Sequence, residues 1–547
     1  ERRAHGGQRP AARRLGGRLL MPGAATAMNL GRLLTGTARR VPDHLALVWG
    51  ERQWTWRELD ARVDRLAAAL RARGVAQGDR VMVHARNSNA MFESMWATFK
   101  IGAVWVPTNF RLTPMEVAGL AETSRPIVIL RDRGFAGHAD AVRAAGPWCR
   151  TVIAIGDPRA DELDYETVLH GATPPPPDHE ADVAYDDPCW FFFTSGTTGR
   201  PKAAVLTHGQ MAFVVANHLA DLFPGVTERD ASLVVAPLSH GAGVHQLGQV
   251  ARGARSVLLP AERLDVEEAF RLIEAHRVTN MFTVPTILKA MAEHDAARRH
   301  DHSSLRHVIY AGAPMYRADQ RRALEVLGPC IVQYFGLGEV TGNISVLRAD
   351  QHSLADDGPI PTGTCGSART GMDIAILDEA GRRLGAGETG EICVRGPAVF
   401  AGYFENPEAN AKAFRGGWFH TGDLGQLDAQ GFLSITGRAS DMYISGGSNV
   451  YPREVEEAIL THPGVLECAV VGMPHPRWGE SGIACVVPQP GMAVTEAEVL
   501  GHLQDRLSRY KQPLRVVVWD ALPKSGYGKI PKLLVKRRLE EEGVGFA

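Results

Sequence analysis

Short apolar runs alternate with amphipathic stretches of helical period through most of this 547-residue sequence, and that alternation restricts the fold more than any other feature. Trp56–Arg73 repeats apolar residues at helical spacing, Arg80–His84 follows as a strand, and Ala90–Lys100 is again helical. Ala103–Pro107 and Ile127–Leu130 are the next strands. The pattern resumes at Ser232–Ala236, Ser256–Leu259, helix Val266–His276 with strand Asn280–Val284, and His307–Tyr310. Strands separated by helices return to their sheet in parallel, so the expected class is α/β, with helix-flanked parallel sheets. Beyond Cys365 short strands such as Ile374–Leu377 and Glu391–Val394 sit between glycine-rich turns, which predicts a small antiparallel, β-barrel-like part. From Val450 the texture is compact α+β: helix Arg453–Leu460, strands near Ala469–Gly472 and Gly482–Val487, and helix Glu496–Ser508. The organisation expected is a leader or unstructured extension over 1–27, a large N-terminal domain of several subdomains over 28–438, and a smaller C-terminal domain over 439–547.

Composition excludes several functions. The 60 basic and 61 acidic residues leave a net charge of −1, and no basic patch interleaved with aromatics marks a nucleic-acid binder. No uninterrupted apolar run reaches the roughly 18 residues of a membrane-spanning helix. The seven cysteines are scattered without a CxxC pair, which fits buried thiols in a reducing cytoplasm better than a disulfide framework or a zinc knuckle. Six arginines fall within Glu1–Leu20, but Arg18, Pro22 and Gly23 interrupt the apolar stretch that a signal peptide needs; Met28 reads as a natural start.

The sharpest chemical signal is Phe191–Lys202, FFFTSGTTGRPK. An aromatic strand ends in Thr194-Ser195-Gly196-Thr197-Thr198-Gly199, small residues that leave backbone N–H groups open to an oligophosphate, and Lys202 adds a mobile positive charge. The spacing is not that of a P-loop, because Gly196 and Gly199 are three apart and alanine follows Lys202. Gly385–Gly390 does spell GxGxxG, but the residues after it read as a strand rather than a helix, so it is expected to be a turn.

The Phe191–Lys202 string resembles the phosphate loop of the adenylate-forming superfamily, which includes acyl-CoA synthetases, the amino-acid-activating domains of peptide synthetases and firefly-type luciferases. Further segments resemble that family's motifs in the same order: Pro237–His240, Ala311–Pro314, Gln333–Glu339, Gly390-Glu391-Ile392 with Gly402-Tyr403, Thr421-Gly422-Asp423, Gly437–Asp441 with Ser445–Asn449, and Lys524–Ile530. The resemblance, strongest to the acyl-CoA synthetase branch, implies ligation of a small carboxylic acid to coenzyme A through an acyl-adenylate, with ATP and Mg²⁺.

It also implies roles. Lys529 stabilises the anionic centre at the α-phosphate, Glu339 holds Mg²⁺, and Thr194 and His240 join them in the catalytic set. Asp423 binds the ribose hydroxyls with Arg438 assisting. Phe335 stacks on adenine beside Tyr334, Gly336 and the turn Gly312-Ala313-Pro314. His240, Gly241, Ala242, Tyr334 and Gly338 line the acyl pocket. Asp441 is the hinge about which a mobile C-terminal domain presents Gly446-Gly447 along the pantetheine path, and Trp478 is a candidate coenzyme A contact. Family members are often dimers.

Three residues depart from the family pattern. Gly338 stands where threonine is usual, which would leave Thr341 or a water to contact the α-phosphate; Tyr334 stands where small residues are common; Tyr443 replaces an aliphatic residue after the hinge. A carrier-protein-loading adenylation domain would place aspartate after the gating residue to pair with an α-ammonium, and here Gly241 follows His240. Within the same superfamily a luciferase-like oxygenase competes with the ligase, as does a degenerate adenylate-binding protein. Retention of Lys202, Glu339, Asp423, Arg438 and Lys529 opposes the degenerate form. A tyrosine at 334 predicts a short, branched or single-ring acid.

Overall fold

The computed structural model describes residues 26–176, 178–194, 201–261, 263–313, 315–438, 440–445, 448–524 and 529–546, together with strands Arg14–Leu15 and Arg18–Leu19. Two large sheets carry the chain as far as Ala368. In one, six strands run parallel, from Leu163–Asp164 at one edge to Pro188–Thr194 near the other, and Lys202–Thr207 closes that edge antiparallel to Pro188–Thr194. The second has nine strands. Its parallel centre takes the order Ile331–Phe335, His307–Tyr310, Asn280–Thr283, Ala231–Val234, Arg255–Leu258 and Leu45–Trp49.

The central strands are apolar on both faces because helices cover both faces, as parallel sheets require. His307–Tyr310 and Val266–His276 fall where periodicity puts them. The helix Trp56–Ala72 shows why the reading works. Thr55 accepts from the Glu58 N–H while Glu58 reaches back to Thr55, fixing the start, and Trp56, Leu59, Val63, Leu66 and Leu70 line one buried stripe.

The expected antiparallel part is a five-stranded sheet that includes Asp373–Leu377, Gly390–Arg395, Trp418–Leu427 and Leu433–Arg438. Gly385–Gly390 is a turn leading straight into Gly390–Arg395, so the dinucleotide fingerprint is rejected. A further five-stranded sheet follows, built on the long hairpin Val465–His475/Gly479–Pro488 with helices Pro452–Ile459, Glu496–Leu503 and Lys532–Glu541. Tyr443 belongs to its core: its ring lies where side chains at Gly472 and Gly482 would be, so the two glycines make room for it. All seven cysteines are unpaired, six of them buried. No helix among the described residues is long and apolar enough to cross a membrane.

Candidate active site

Most of the predicted site residues follow the carboxyl ends of parallel strands, where an open α/β sheet has its crevice. Ala231–Val234 leads to Pro237–His240, His307–Tyr310 leads to Gly312-Ala313, and Ile331–Phe335 ends on Tyr334 and Phe335 themselves. Gly312 has φ +85°, a conformation that favours glycine at this turn. Thr194 and Lys202 are cross-strand partners flanking the predicted phosphate loop. Ser195, Gly196, Thr197, Thr198, Gly199, Pro314, Gly446 and Gly447 lie outside the described residues.

Glu339 is the centre of the polar end. It is buried in a short 3₁₀ turn, and its Oε1 accepts from Thr194 Oγ1 and from the Tyr403 hydroxyl, both at 2.9 Å. Tyr403 is brought there because 401–404 pairs with Ala203 and Val205, and burial together with Glu339 holds its phenol well above the usual range. The ammonium of Lys202 lies 5.0 Å from the Tyr403 ring centroid, a cation–π contact. The sequence places Tyr403 in a motif without giving it a role; a pairing across 64 residues leaves no local signal.

Asp423 and Arg438 are opposite each other across adjacent strands, and Arg438 Nε meets Asp423 Oδ1 at 3.0 Å. Burial raises the Asp423 carboxyl, while Arg438 and then Lys529 oppose that rise. The turn presenting Asp423 is pinned from below. Glu391 Oε1 accepts the Gly422 N–H at 3.1 Å, and its Oε2 lies 2.7 Å from His420 Nδ1. Cys393 completes a trio of ligand types that a metal could use, but Arg415 already donates into this cluster and supplies its positive charge.

Lys529 is in electrostatic reach of Arg438, Asp423, Glu339 and His240. Protein enclosure, then Arg438, lowers its ammonium, against the opposing pull of Asp423 and Glu339. Burial first, and Lys529 second, pull His240 down to about 3, so its ring is neutral at pH 7. Lys529 is exposed and His240 half-buried, as in the wall of a cleft. Asp441 follows the last strand of the antiparallel sheet, its N–H bonded to the Arg438 carbonyl. It faces Lys532, which burial lowers to about 8 while Asp441 opposes the fall.

At the acyl end His240 bonds Ser239 Oγ through Nδ1 at 3.1 Å and meets Phe192 edge-on at 4.9 Å. Tyr334 is buried, stacked on Phe282 at 5.9 Å and flanked by His218 and the Arg369 guanidinium. Gly241 does not widen this wall: a Cβ there would lie 2.6 Å from the Phe282 ring, which already fills the space. Ala242 is buried on the same helix. Thr341 cannot replace the hydroxyl missing at Gly338 as it stands, since its Oγ1 donates to the Val340 carbonyl and accepts from Asn343. Trp478 is 41% exposed under the Arg477 guanidinium.

The AMP-binding enzyme family matches residues 34–404, and its C-terminal domain matches residues 454–529. The chain is 39% identical to a feruloyl-CoA synthase from Amycolatopsis sp over 514 residues, covering 93% of this chain and 99% of that one. An indoleacetate–CoA ligase from Aromatoleum aromaticum is 33% identical, with 92% and 97% covered. The fold is similar to that of ATP-bound MatB from Rhodopseudomonas palustris, with a TM-score of 0.84, 29% identity, and 94% and 100% of the two chains covered. With both family regions matched in order around a cleft that gathers a buried carboxylate, an aspartate–arginine pair and a lysine in their electrostatic reach, the chain belongs to the AMP-binding enzymes.

Proposed function

We propose that this chain is an ATP-dependent ligase that joins an aromatic or arylalkyl carboxylic acid to coenzyme A through an acyl-adenylate. The observation that carries the reading is the convergence of Lys529, from the C-terminal part, on Glu339, Asp423 and His240 of the N-terminal part. A carboxylate is a poor electrophile because its oxygen leaves badly. Attack of a carboxylate oxygen on the α-phosphorus expels pyrophosphate and makes AMP the leaving group; a thiolate then displaces AMP.

The residues fit this chemistry. Asp423, with Arg438 fixing one oxygen, is placed to accept from the ribose hydroxyls. Lys529 offers fixed positive charge where negative charge develops. The bonds from Thr194 and Tyr403 both fall on Oε1 of Glu339, and Oε2 is a hard oxygen ligand of the kind Mg²⁺ takes. When bound, Mg²⁺ neutralises phosphate charge; Thr194 and Tyr403 hold the carboxylate in place for it. Neutral His240 adds no charge of its own to the acyl side, which suits an apolar acid. We place the division between the two parts at 438/439 with Asp441 as hinge. On this reading Lys529, in electrostatic reach of Asp423 and Glu339, serves the adenylation step.

The relatives named for ferulate and indoleacetate support an aromatic substrate, as do the rings of Phe192, Phe282 and Tyr334. Pyrophosphate release and its dependence on coenzyme A, measured over aliphatic acids from acetate to palmitate, benzoates and cinnamates, tests the reading. Aryl acids are expected to turn over best, and thioester to form only with coenzyme A present. Free amino acids are expected to give no release, because Gly241 follows His240 and no carboxylate there meets an α-ammonium. An amino acid as the best substrate would transfer the chain to the peptide-synthetase reading.

Substrate length gives a second test. Tyr334→Gly removes a buried ring and opens the wall beside Phe282, so kcat/KM is expected to shift toward longer acids, each added buried methylene contributing about 0.8 kcal/mol. Thermal denaturation measured alongside separates this from the stability lost with a core ring. An unchanged length preference in a folded, active variant would show that Tyr334 serves packing alone.

A further inference from the structure

We propose that Phe192 is a specificity-determining residue: its ring, admitted by the bare Gly338, walls the acyl site beside His240 and selects acids whose carboxyl is borne on a flat aryl or aryl-conjugated group. This rests on the reading of His240 as the acyl gate and goes further by assigning the wall next to the reacting carboxyl.

Strand geometry places the ring. Side chains alternate along Pro188–Thr194, so Phe191 packs with Met82, Val106 and Phe404 on one face while Phe192 turns to the other. There it tilts against Trp190 at 6.0 Å and presents an edge-to-face contact to His240 at 4.9 Å and 68°. Two residues on, and on the same face, Thr194 bonds Glu339. Phe192 therefore sits one strand repeat, about 7 Å, behind Thr194, whose hydroxyl bonds the carboxylate that anchors the phosphate end. Its neighbour His240 precedes Gly241, against which Phe282 of the acyl wall packs.

Gly338 is the complement of this ring. A Cβ at 338 would lie 2.5 and 2.6 Å from Phe192 Cδ1 and Cε1 and 3.1 Å from the Thr194 methyl. The backbone of Gly338 is not in the left-handed region, so glycine is not needed there for its φ. What requires it is the space the Phe192 ring occupies. The glycine and the phenylalanine are thus one feature, and it exchanges a hydroxyl beside Glu339 for an aromatic surface beside the acyl gate. An aromatic edge packs well on the flat π-face of a conjugated acid and poorly on a tetrahedral, freely rotating chain.

The test compares wild type, Phe192→Leu, Gly338→Thr and the double variant. Acid-dependent pyrophosphate release is measured with cinnamate, benzoate and hexanoate, and folding is followed by thermal denaturation. Phe192→Leu is expected to lower the cinnamate-to-hexanoate ratio of kcat/KM by roughly two- to tenfold. Gly338→Thr alone, overpacked against the ring, is expected to lose roughly tenfold or more with every acid. The double variant should recover most of that loss while keeping the shift toward hexanoate, the non-additivity expected of side chains in direct contact. Phe192→Met, which keeps volume and flexibility without a ring, repeats the ratio measurement should leucine unfold the protein. An unchanged ratio in the folded Phe192 variants, or losses that simply add in the double variant, overturns the proposal. Wild type releasing pyrophosphate with no acid overturns the ligase reading and this assignment with it, whereas an active wild type with unchanged ratios overturns this assignment alone.

Discussion

Lys529→Ala is expected to lower acid-dependent pyrophosphate release by roughly 10²-fold or more, as for the loss of one preorganised charge at a developing anion. The cause is local. Lys529 is open to the cleft, its ammonium balanced between the repulsion of Arg438 and the attraction of Asp423 and Glu339. Removing it leaves the excess negative charge of the α-phosphate facing two carboxylates. Transfer from a supplied acyl-adenylate to coenzyme A has a different electrostatic demand, since AMP is then the leaving group and no pyrophosphate bond breaks. That half-reaction should fall far less. Equal losses in both, measured by single turnover with synthetic acyl-adenylate, would take the adenylation role from Lys529. Lys532, three residues on, is a control of the same charge type: it pairs with Glu456 and faces Asp441, the proposed hinge, so its loss should not separate the half-reactions in this way.

The parts of the fold that are legible in the sequence are those where local chemistry and burial agree. Arg80–His84 and Val266–His276 are continuous in period and bounded by clear ends, with Asp265 capping the helix through the Glu268 N–H. Over Glu496–Ser508 the period outruns the helix, which stops at Leu503, although Leu507 keeps the apolar spacing and packs on the core from a turn. Periodicity reports which residues face the core and not how the backbone gets them there. The site shows the same division. Residues inside motifs, such as Asp423 and Glu339, are visible as types at fixed spacing. Their partners come from register and crossover: Arg438 meets Asp423 across a bulged pair of strands, and Tyr403 reaches Glu339 because its segment pairs with the strand after the phosphate loop. Thr341 shows the limit of reading by proximity in sequence. Its hydroxyl is near enough along the chain to substitute for the one absent at Gly338, yet with φ +49° it is turned onto its own backbone neighbours. A departure from a motif is compensated in space rather than in the next residue along.

Glu339→Gln is expected to reduce adenylation by roughly 10²-fold while leaving the protein folded, because it removes charge and almost no shape. The carboxylate is buried, and Oε1 accepts two hydroxyl donors at 2.9 Å. A glutamine carbonyl accepts the same two bonds, so Thr194 and Tyr403 keep their positions. Burying a neutral amide also costs less than burying an anion, so thermal stability should hold or rise. What is lost is the hard anionic oxygen for a divalent cation and one of the two carboxylates that keep Lys529 charged. Two readouts follow from those two losses. The Mg²⁺ concentration for half-maximal pyrophosphate release should rise, since a cation that prefers charged oxygen ligands has only an amide oxygen to meet. The alkaline limb of the adenylation rate should also move to lower pH. Lys529 is already depressed by enclosure, and with Glu339 neutral it has less to hold its proton, so its active, protonated form is lost earlier as pH rises. A variant with wild-type Mg²⁺ dependence and an unmoved alkaline limb would show that Glu339 only supports Thr194 and Tyr403, and the cation site would have to lie elsewhere in the cleft.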